Sequence, residues 1–510
     1  TALAKISYGE ELVTNGTFDD GTTGWASGGN AVISASSGEL TITGDGGYND
    51  YAQQVIHVTV GKPYLVSFTG RKITSNASGQ VRESLAPYGT LIANTFSSTS
   101  DESFQQTFVA TQSTLIVQLV VWSGGGGSIA FDNVSVKEAL YDQPDGTLQL
   151  FNHPINKPRI EYDASGNCLG LLVEEARTNV VTQSEFASGF TNSLATLTLN
   201  QVASPDTNIN AASIVPSAAN GEHFVQYILS SPSSGTYTQS VFVKANGYSK
   251  VALTPVHLGA DQGATSTAKF DLTEGTSTQS GSAVPYISNL GNGWYRIGIT
   301  YTTTGTVTSH RVRVQVLSDS YGYMWQANGA DGIYVYGAQV EAGTFPTSYI
   351  PTSGSAVTRA ADIASLAVSE FGYNQDQGSV VVEAVMPPSV ISEQFWILGS
   401  NTNSARWAYS TSPSPIVIAY DGATQFFAGS LQPNATQKMA IGTDQSTTIL
   451  CLDGVSGNQA STNGNISSLT TVFYFGGNSS SPVLNFNGHI KSIQYYPLRL
   501  SNAQLQALTV

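Results

Sequence analysis

The chain of 510 residues has room for about three domains of ~150 residues, each with a sizeable core. Only 11% of its residues are charged, and 20 Lys and Arg against 35 Asp and Glu leave a net charge of −15, which repels phosphate backbones and excludes nucleic acid as a partner. No apolar run approaches the ~18 residues of a membrane span, and 10% aromatic residues supply the cores that a disordered chain lacks.

Residues 1–13 lack the charged and apolar regions of a secretion signal, which fits either a processed chain or one that never needed export. The first block, 1–138, contains the alternation Leu115, Val117, Leu119, Val121 and closes on an apolar strand at 129–136. A connector, 139–177, follows, marked by Pro144, Pro154 and Pro158. The second block, 178–343, alternates Tyr295, Ile297, Ile299 and Tyr301. It then sets Val312, Val314 and Val316 against Arg311, Arg313 and Gln315 on the opposite face. Its closing strand, 333–340, aligns with the first when Ile129 is laid on Ile333 and Val136 on Val340, a weak repeat of a whole domain. Pro346, Pro351 and Gly354 mark a linker, 344–370. The third block, 371–510, holds Asp453-Gly454 between apolar alternations, a tight hairpin turn that needs positive φ. Near its end Ser501 caps a short helix, with Gln504 three residues on and Leu505 and Leu508 pointing inward. Period-2 runs separated by Gly, Asn and Ser clusters predict an all-β chain of three tandem antiparallel β-sandwich (jelly-roll) domains with short linkers and a short C-terminal helix.

Little of the chemistry of enzymes is legible. Cys168 and Cys451 are too far apart in sequence for a disulfide scaffold or a Cys-rich zinc site. The six histidines show no i,i+4 pair, the Gly-x-Ser-x-Gly elbow is missing, and Gly124–Gly127 lacks the Lys-Ser/Thr of a phosphate loop. Glycoside hydrolysis needs two carboxylates ~5–10 Å apart. In the third block Glu370, Asp376, Glu383, Glu393, Asp421, Asp444 and Asp453 are widely spaced, so a pair would have to be assembled from distant loops. Neighbours such as Glu174 and Glu175 point to opposite faces of an extended chain. The chain is therefore expected not to be an enzyme.

Three sets of residues carry a resemblance. Asn15-Gly16-Thr17-Phe18-Asp19, Gly24-Trp25 and Phe131-Asp132-Asn133-Val134-Ser135-Val136 resemble the carbohydrate-binding jelly-roll modules attached to glycanases. Pro158-Arg159-Ile160, the run from Gly170 to Asn179, Gly293-Trp294-Tyr295-Arg296, the run from Gly337 to Gly343, Thr347-Ser348-Tyr349-Ile350-Pro351 and Thr358-Arg359-Ala360-Ala361-Asp362 resemble a connector found in bacteriophage tail-fibre and other virion surface proteins. The last block, from Gly378-Ser379-Val380 to its closing Leu-Ser-Asn-Ala-Gln-Leu, is similar to concanavalin A/laminin-G-like sandwiches. The resemblance implies a non-enzymatic phage virion surface protein, made in the host cytoplasm. It would serve as a tail fibre, receptor-binding protein or head decoration that contacts host cell-surface polysaccharide beside other virion proteins. The alternative is a secreted or virion-borne polysaccharide depolymerase with binding modules. Within the connector, Arg177 reads as an anion binder or as half of a charged pair pinning the chain to the second module.

Edge strands with few guarding lysines predict a symmetric homo-oligomer, and the resemblance makes it a trimer. The resembled modules share a structural calcium between an acid of the opening region and one of the closing strand. Here those positions are Asp19 and Asp132, with hard oxygens of the kind Ca2+ needs, although Asp132 could equally be a strand-end hydrogen bonder. Sugars present flat C–H faces ringed by hydroxyls, so aromatic platforms beside polar groups are the glycan candidates. Tyr321, Tyr323 and Trp325, at alternate positions, come first. Trp122 before the Gly124–Gly127 loop, Tyr48 and Tyr51 around Asn49-Asp50, and Trp407 with Tyr409 follow. Trp25 and Trp294 read as packing residues.

Overall fold

The computed structural model describes residues 1–46, 50–74, 78–83, 99–122, 126–154, 156–229, 233–259, 266–304, 307–385, 394–398, 405–410, 416–420, 425–430, 432, 434–444, 446–457, 460–461, 472–475 and 486–510. The fold is built almost entirely of antiparallel strands, as the period-2 runs predict. The chain divides into a smaller unit, Ala4–Lys157 with Ala203–Ile209, and a larger one, Thr1–Leu3 with Pro158–Val202 and Asn210–Val510.

The smaller unit packs two sheets around Phe18, Trp25, Leu40, Ile42, Phe68 and Phe131. In one sheet Gly127–Tyr141 is central, pairing with Ala2–Glu11, Glu39–Gly44 and Pro63–Lys72. The other runs in the order Ala26–Gly28, Asp50–His57, Thr114–Trp122, Ser78–Glu83. Leu115, Val117, Leu119 and Val121 all enter the core, as their alternation requires.

The larger unit holds two sandwiches. In the first, Gly332–Ala342 is central in one six-stranded sheet, and Val307–Val316 lies inside the facing one. Their shared core includes Val243, Phe270, Ile297, Tyr301, Val314 and Val335. The second pairs Gln377–Val385 with Thr436–Asp444 and Gly488–Tyr496. Its core is formed by residues such as Val382, Ile441, Leu450 and Phe473. Asp453 (φ 46°) and Gly454 (φ 79°) make the expected tight turn. Asn502–Leu508 is the expected helix, with a capping box between Ser501 and Gln504 and Leu505 buried.

The domain repeat extends to backbone detail. The turn that starts the first module bonds Phe18 N to Asn15 O, and its counterpart bonds Phe186 N to Gln183 O. Both phenylalanines have positive φ, 55° and 66°. Val134 N donates to Gly16 O in one module and Ala338 N to Ser184 O in the other, at 2.9 and 2.8 Å. The closing strands bulge at equivalent places, around Asn133 (φ 52°) and Gly337 (φ 62°). Laying Ile129 on Ile333 matches those two residues as well.

The segment expected as a connector, 139–177, is strand for much of its length. Thr147–Phe151 joins the sheet of Ala2–Glu11 in the smaller unit. Ile160–Tyr162 and Cys168–Val173 form a hairpin that extends the last sandwich through Gly488–Tyr496. Their backbone groups need ladder partners once the apolar residues Leu172 and Val173 are buried, and the sheet edge supplies them. In the 344–370 linker, Val357–Arg359 pairs with Arg177–Asn179.

Candidate functional site

In the four-stranded sheet of the first module, Ala52, Gln54 and Ile56 turn inward, so Tyr51, Gln53, Val55 and His57 occupy the face away from the core. Across the ladder Tyr51 stands opposite Val120 and Gln53 opposite Gln118. Gln118 Nε2 donates to Gln53 Oε1 at 3.0 Å, fixing an amide pair on this face. Gln118 is buried even though it points away from the core. Tyr51 is half-buried and lies across Gly28, where an added Cβ would stand 2.2 Å from the ring carbons. The glycine is therefore what lets the ring rest on the neighbouring strand.

The rim beside Tyr51 is organised by Asp50, which is buried. Its Oδ1 accepts from Asn30 N at 2.8 Å and its Oδ2 from Asp45 N at 3.1 Å, tying two loops together. Gln53 and Gln118 were not among the residues singled out in the sequence, where Asp50 entered only as part of the Asn49-Asp50 loop. Gln118 carried a signal, since it interrupts the apolar strand Thr114–Trp122 at a position of the outward parity. Trp122 follows two positions after Val120 on the same strand, opposite Ser78. Tyr48 lies outside the described residues, as do the side chains of Trp122, Trp407 and Tyr409.

Tyr321, Tyr323 and Trp325 do not share one extended face. Tyr321 sits in a turn closed by its N–H to Ser318 O and has φ 62°, so strand alternation does not apply there. Its hydroxyl donates to Asp271 Oδ2 at 2.9 Å, and Lys250, paired with Asp271, lies 5.3 Å from its ring centre. Lys269 Nζ is 4.4 Å from the centre of the Tyr323 ring. Trp325 packs edge-on against His223 and Tyr248 at the border of the core and donates Nε1–H to Val316 O. Tyr321 and Tyr323 thus belong to a lysine-backed cluster, while Trp325 is a packing residue. Trp25 and Trp294 are core.

Of the calcium candidates, Asp19 is exposed and accepts from Thr17 Oγ1 at 2.8 Å. Asp132 is half-buried and accepts from Asn133 N and Nδ2 at 2.6 and 2.9 Å. Burial, and after it the charges of Glu39, Asp19 and Asp101, push the Asp132 carboxyl above its usual range, against the pull of its bond to Asn133 N–H. Among the described residues, no group of three or more His, Cys, Asp or Glu is placed to hold a metal ion.

The residues of the connector resemblance converge inside the larger unit. Glu174 is buried, with its Oε2 2.9 Å from Arg159 Nη2 and 3.2 Å from Arg359 Nη1, and its Oε1 accepting from Ser348 N at 2.8 Å. Asp362 pairs with both arginines and accepts from Glu174 N at 2.9 Å. Asn179, fully buried, donates to Ala338 O and Ile350 O and accepts from Val181 N and Val340 N. Arg177 pairs with Glu175 and stacks on Phe345, the structural role of the two weighed for it. Glu174 and Glu175 do face different partners. Charge and amide here hold backbone together and offer no open site.

A carbohydrate binding domain family matches residues 10–132 of this chain. Among solved structures, the chain is similar to the N-terminal CBM22-1-CBM22-2 tandem domain of Paenibacillus barcinonensis Xyn10C, at 12% identity and TM-score 0.23, covering 66% of this chain and 98% of that one. A structure described as "CBM4 structure and function" is similar at 21% identity and TM-score 0.22, over 25% of this chain and 99% of that one. Domains LG4-5 of the mouse laminin alpha1 chain are similar at 11% identity and TM-score 0.22, over 69% and 96%. No curated protein matches the chain.

Proposed function

We propose that the protein binds carbohydrate without transforming it, and that the first module takes a polysaccharide segment across its four-stranded sheet. The observation that carries this reading is the outward face itself. There Tyr51 lies across Gly28 beside the bonded amides of Gln53 and Gln118, within the segment matched by the carbohydrate binding domain family. An aromatic body suits the C–H face of a pyranose, and amides suit its hydroxyls.

Binding of the intact protein to a panel of soluble neutral polysaccharides, by affinity electrophoresis and calorimetry, tests this. With a ligand found, Tyr51→Ala should weaken binding about tenfold, ~1.4 kcal/mol. Gly28→Ala should weaken it as well, by lifting the ring off the strand, while the melting temperature stays nearly unchanged. Undiminished affinity in both variants removes the site.

The finer reading is a homotrimeric bacteriophage virion surface protein, set among other virion proteins and facing host cell-surface polysaccharide. Its support is the resemblance carried by the connector residues. Mass spectrometry of purified particles and light scattering of the protein test it. Absence from particles, or a monomer at micromolar concentration, ends it.

A structural Ca2+ at Asp19 and Asp132 is proposed on the same footing. A cation there would relieve the repulsion that helps raise the Asp132 carboxyl, taking its remaining oxygens from backbone carbonyls and water. Chelator should then lower the melting temperature of the intact protein by several degrees, with recovery on adding calcium. An unchanged melting curve removes the ion.

A further inference from the structure

The second module carries a polar face that the reading above does not use. In the sheet containing His223–Leu229, Val307–Val316, Lys250–Gly259 and Thr267–Asp271, Val225, Val314, Leu253 and Phe270 turn into the core. The alternate positions run in register across the other side. Phe224, Gln315, Ala252 and Lys269 form one row, Gln226, Arg313 and Thr254 the next, and Ile228, Arg311 and Val256 a third. The alternation of Arg311, Arg313 and Gln315 with valines, plain in the sequence, thus places two guanidinium groups on one outward surface.

Arg313 is held in place. Its guanidinium lies 4.0 Å from the centre of the Phe224 ring, and its Nε donates to Gln226 Oε1 at 2.9 Å. Its one carboxylate partner among the described residues is Glu222, 3.6 Å away and 40% exposed. Burial lowers its pKa, Glu222 opposes this, and the charge of Arg311 adds to the lowering, so the two guanidiniums repel one another. Arg311 meets no carboxylate among the described residues, and its Nε is buried without a hydrogen-bond partner. Gln315 Nε2, on a side chain only 1% exposed, and Thr254 Oγ1 are buried and unpartnered in the adjoining rows. At the far end of the face Lys269 backs the half-buried Tyr323, and Met324 beside it is 66% exposed. Four cations, Lys250, Lys269, Arg311 and Arg313, face two carboxylates, Asp271 and Glu222, in a chain whose net charge is −15.

We propose that this face binds an acidic saccharide, with a sugar carboxylate held by Arg311 and Arg313 and a ring further along the same saccharide packed on Tyr323. A guanidinium matches a carboxylate with two parallel hydrogen bonds, and Arg313 is already oriented by Phe224 and Gln226. The ligand's negative charge supplies what the repelling pair lacks. This site is separate from the first-module face and stands if that reading fails.

The test uses the intact protein and three carboxylated polysaccharides, polygalacturonate, alginate and hyaluronan. Methyl-esterified polygalacturonate is the uncharged counterpart, and polyglutamate serves as a polyanion without sugar. Binding to at least one acidic polysaccharide is expected, weakening with added salt and lost on methyl esterification. Arg311→Gln should reduce affinity at least tenfold, and Arg311→Lys, which keeps charge but loses the fork, should restore only part of it. The neutral polysaccharides of the first-module test, run beside these polymers, distinguish the two sites in one series. Circular dichroism and melting confirm that each variant folds. Failure of all three polymers to bind, equal binding of the methyl ester or of polyglutamate, or an Arg311→Gln protein that binds as the parent does overturns the proposal.

Discussion

Replacing Glu174 with Gln is expected to destabilise the larger unit by about 3–5 kcal/mol, because it leaves the buried Arg159 and the half-buried Arg359 around a neutral amide. A surface ion pair lost in the same way would cost under ~1 kcal/mol. The difference lies in desolvation. Arg159 is 8% exposed and Glu174 5%, so neither charge recovers water when its partner goes. Asp362 cannot compensate fully, since it already serves both arginines and the N–H of Glu174.

The same cluster sets an acid limit. Burial raises the Glu174 carboxyl, but Arg359, Arg159 and the bond from Ser348 outweigh it and hold the group well below the ordinary carboxylate range. Asp271 behaves alike: burial raises it, and the bonds from Lys250 and Tyr321 bring it down to about 2. A carboxyl depressed in the folded state stabilises the fold fully above its unfolded pKa of ~4 and loses that contribution as pH falls toward the folded value. The urea midpoint should therefore fall between about pH 5 and pH 2. In Glu174→Gln it should start lower and slope less. A variant midpoint equal to the parent's at pH 7 would show that the ion cluster adds nothing.

Gly170→Ala should be comparably damaging, at roughly 2–5 kcal/mol, from two costs that add at one residue. Gly170 has φ +116°, a conformation that side-chain-bearing residues rarely adopt. Its Cβ would also stand 2.5 Å from Ile490 O and 2.8 Å from the carbon of that carbonyl. The obstacle is backbone in the adjoining strand, so no rotamer change relieves it. Gly170 pairs with Glu161, whose Oε2 lies 2.6 Å from His489 Nε2, so displacement would also strain that contact. The expected result is a lower urea midpoint and faster proteolysis within 158–179. A midpoint within error of the parent would mean that the hairpin shifts without cost.

The amino-acid sequence by itself determined the strands, the Asp453-Gly454 turn and the terminal helix, because each rests on contacts between near neighbours. Alternation sends Leu115 to Val121 and Val312 to Val316 into cores whatever the remainder of the chain does. Asp453-Gly454 adopts positive φ locally, and Ser501 caps the Asn502–Leu508 helix in a box closed by Gln504 three residues on. The same periodicity set Arg311, Arg313 and Gln315 on one outward face. It failed at Tyr321, Tyr323 and Trp325 because parity holds only while the strand is continuous, and a turn at Tyr321 breaks it. Tertiary structure alone decided what the charges of the connector do. Arg159, Glu174, Arg359 and Asp362 lie up to 203 positions apart and meet only when the hairpin and the linker close on one another. Their pairing is a consequence of burial, which gives a charge no alternative to a partner, and no local pattern encodes who that partner is. The first-module face divides the same way. Gln118 showed its side of the sheet by parity, whereas the rest of Tyr51 on Gly28 needed the ladder that brings residue 51 beside residue 28.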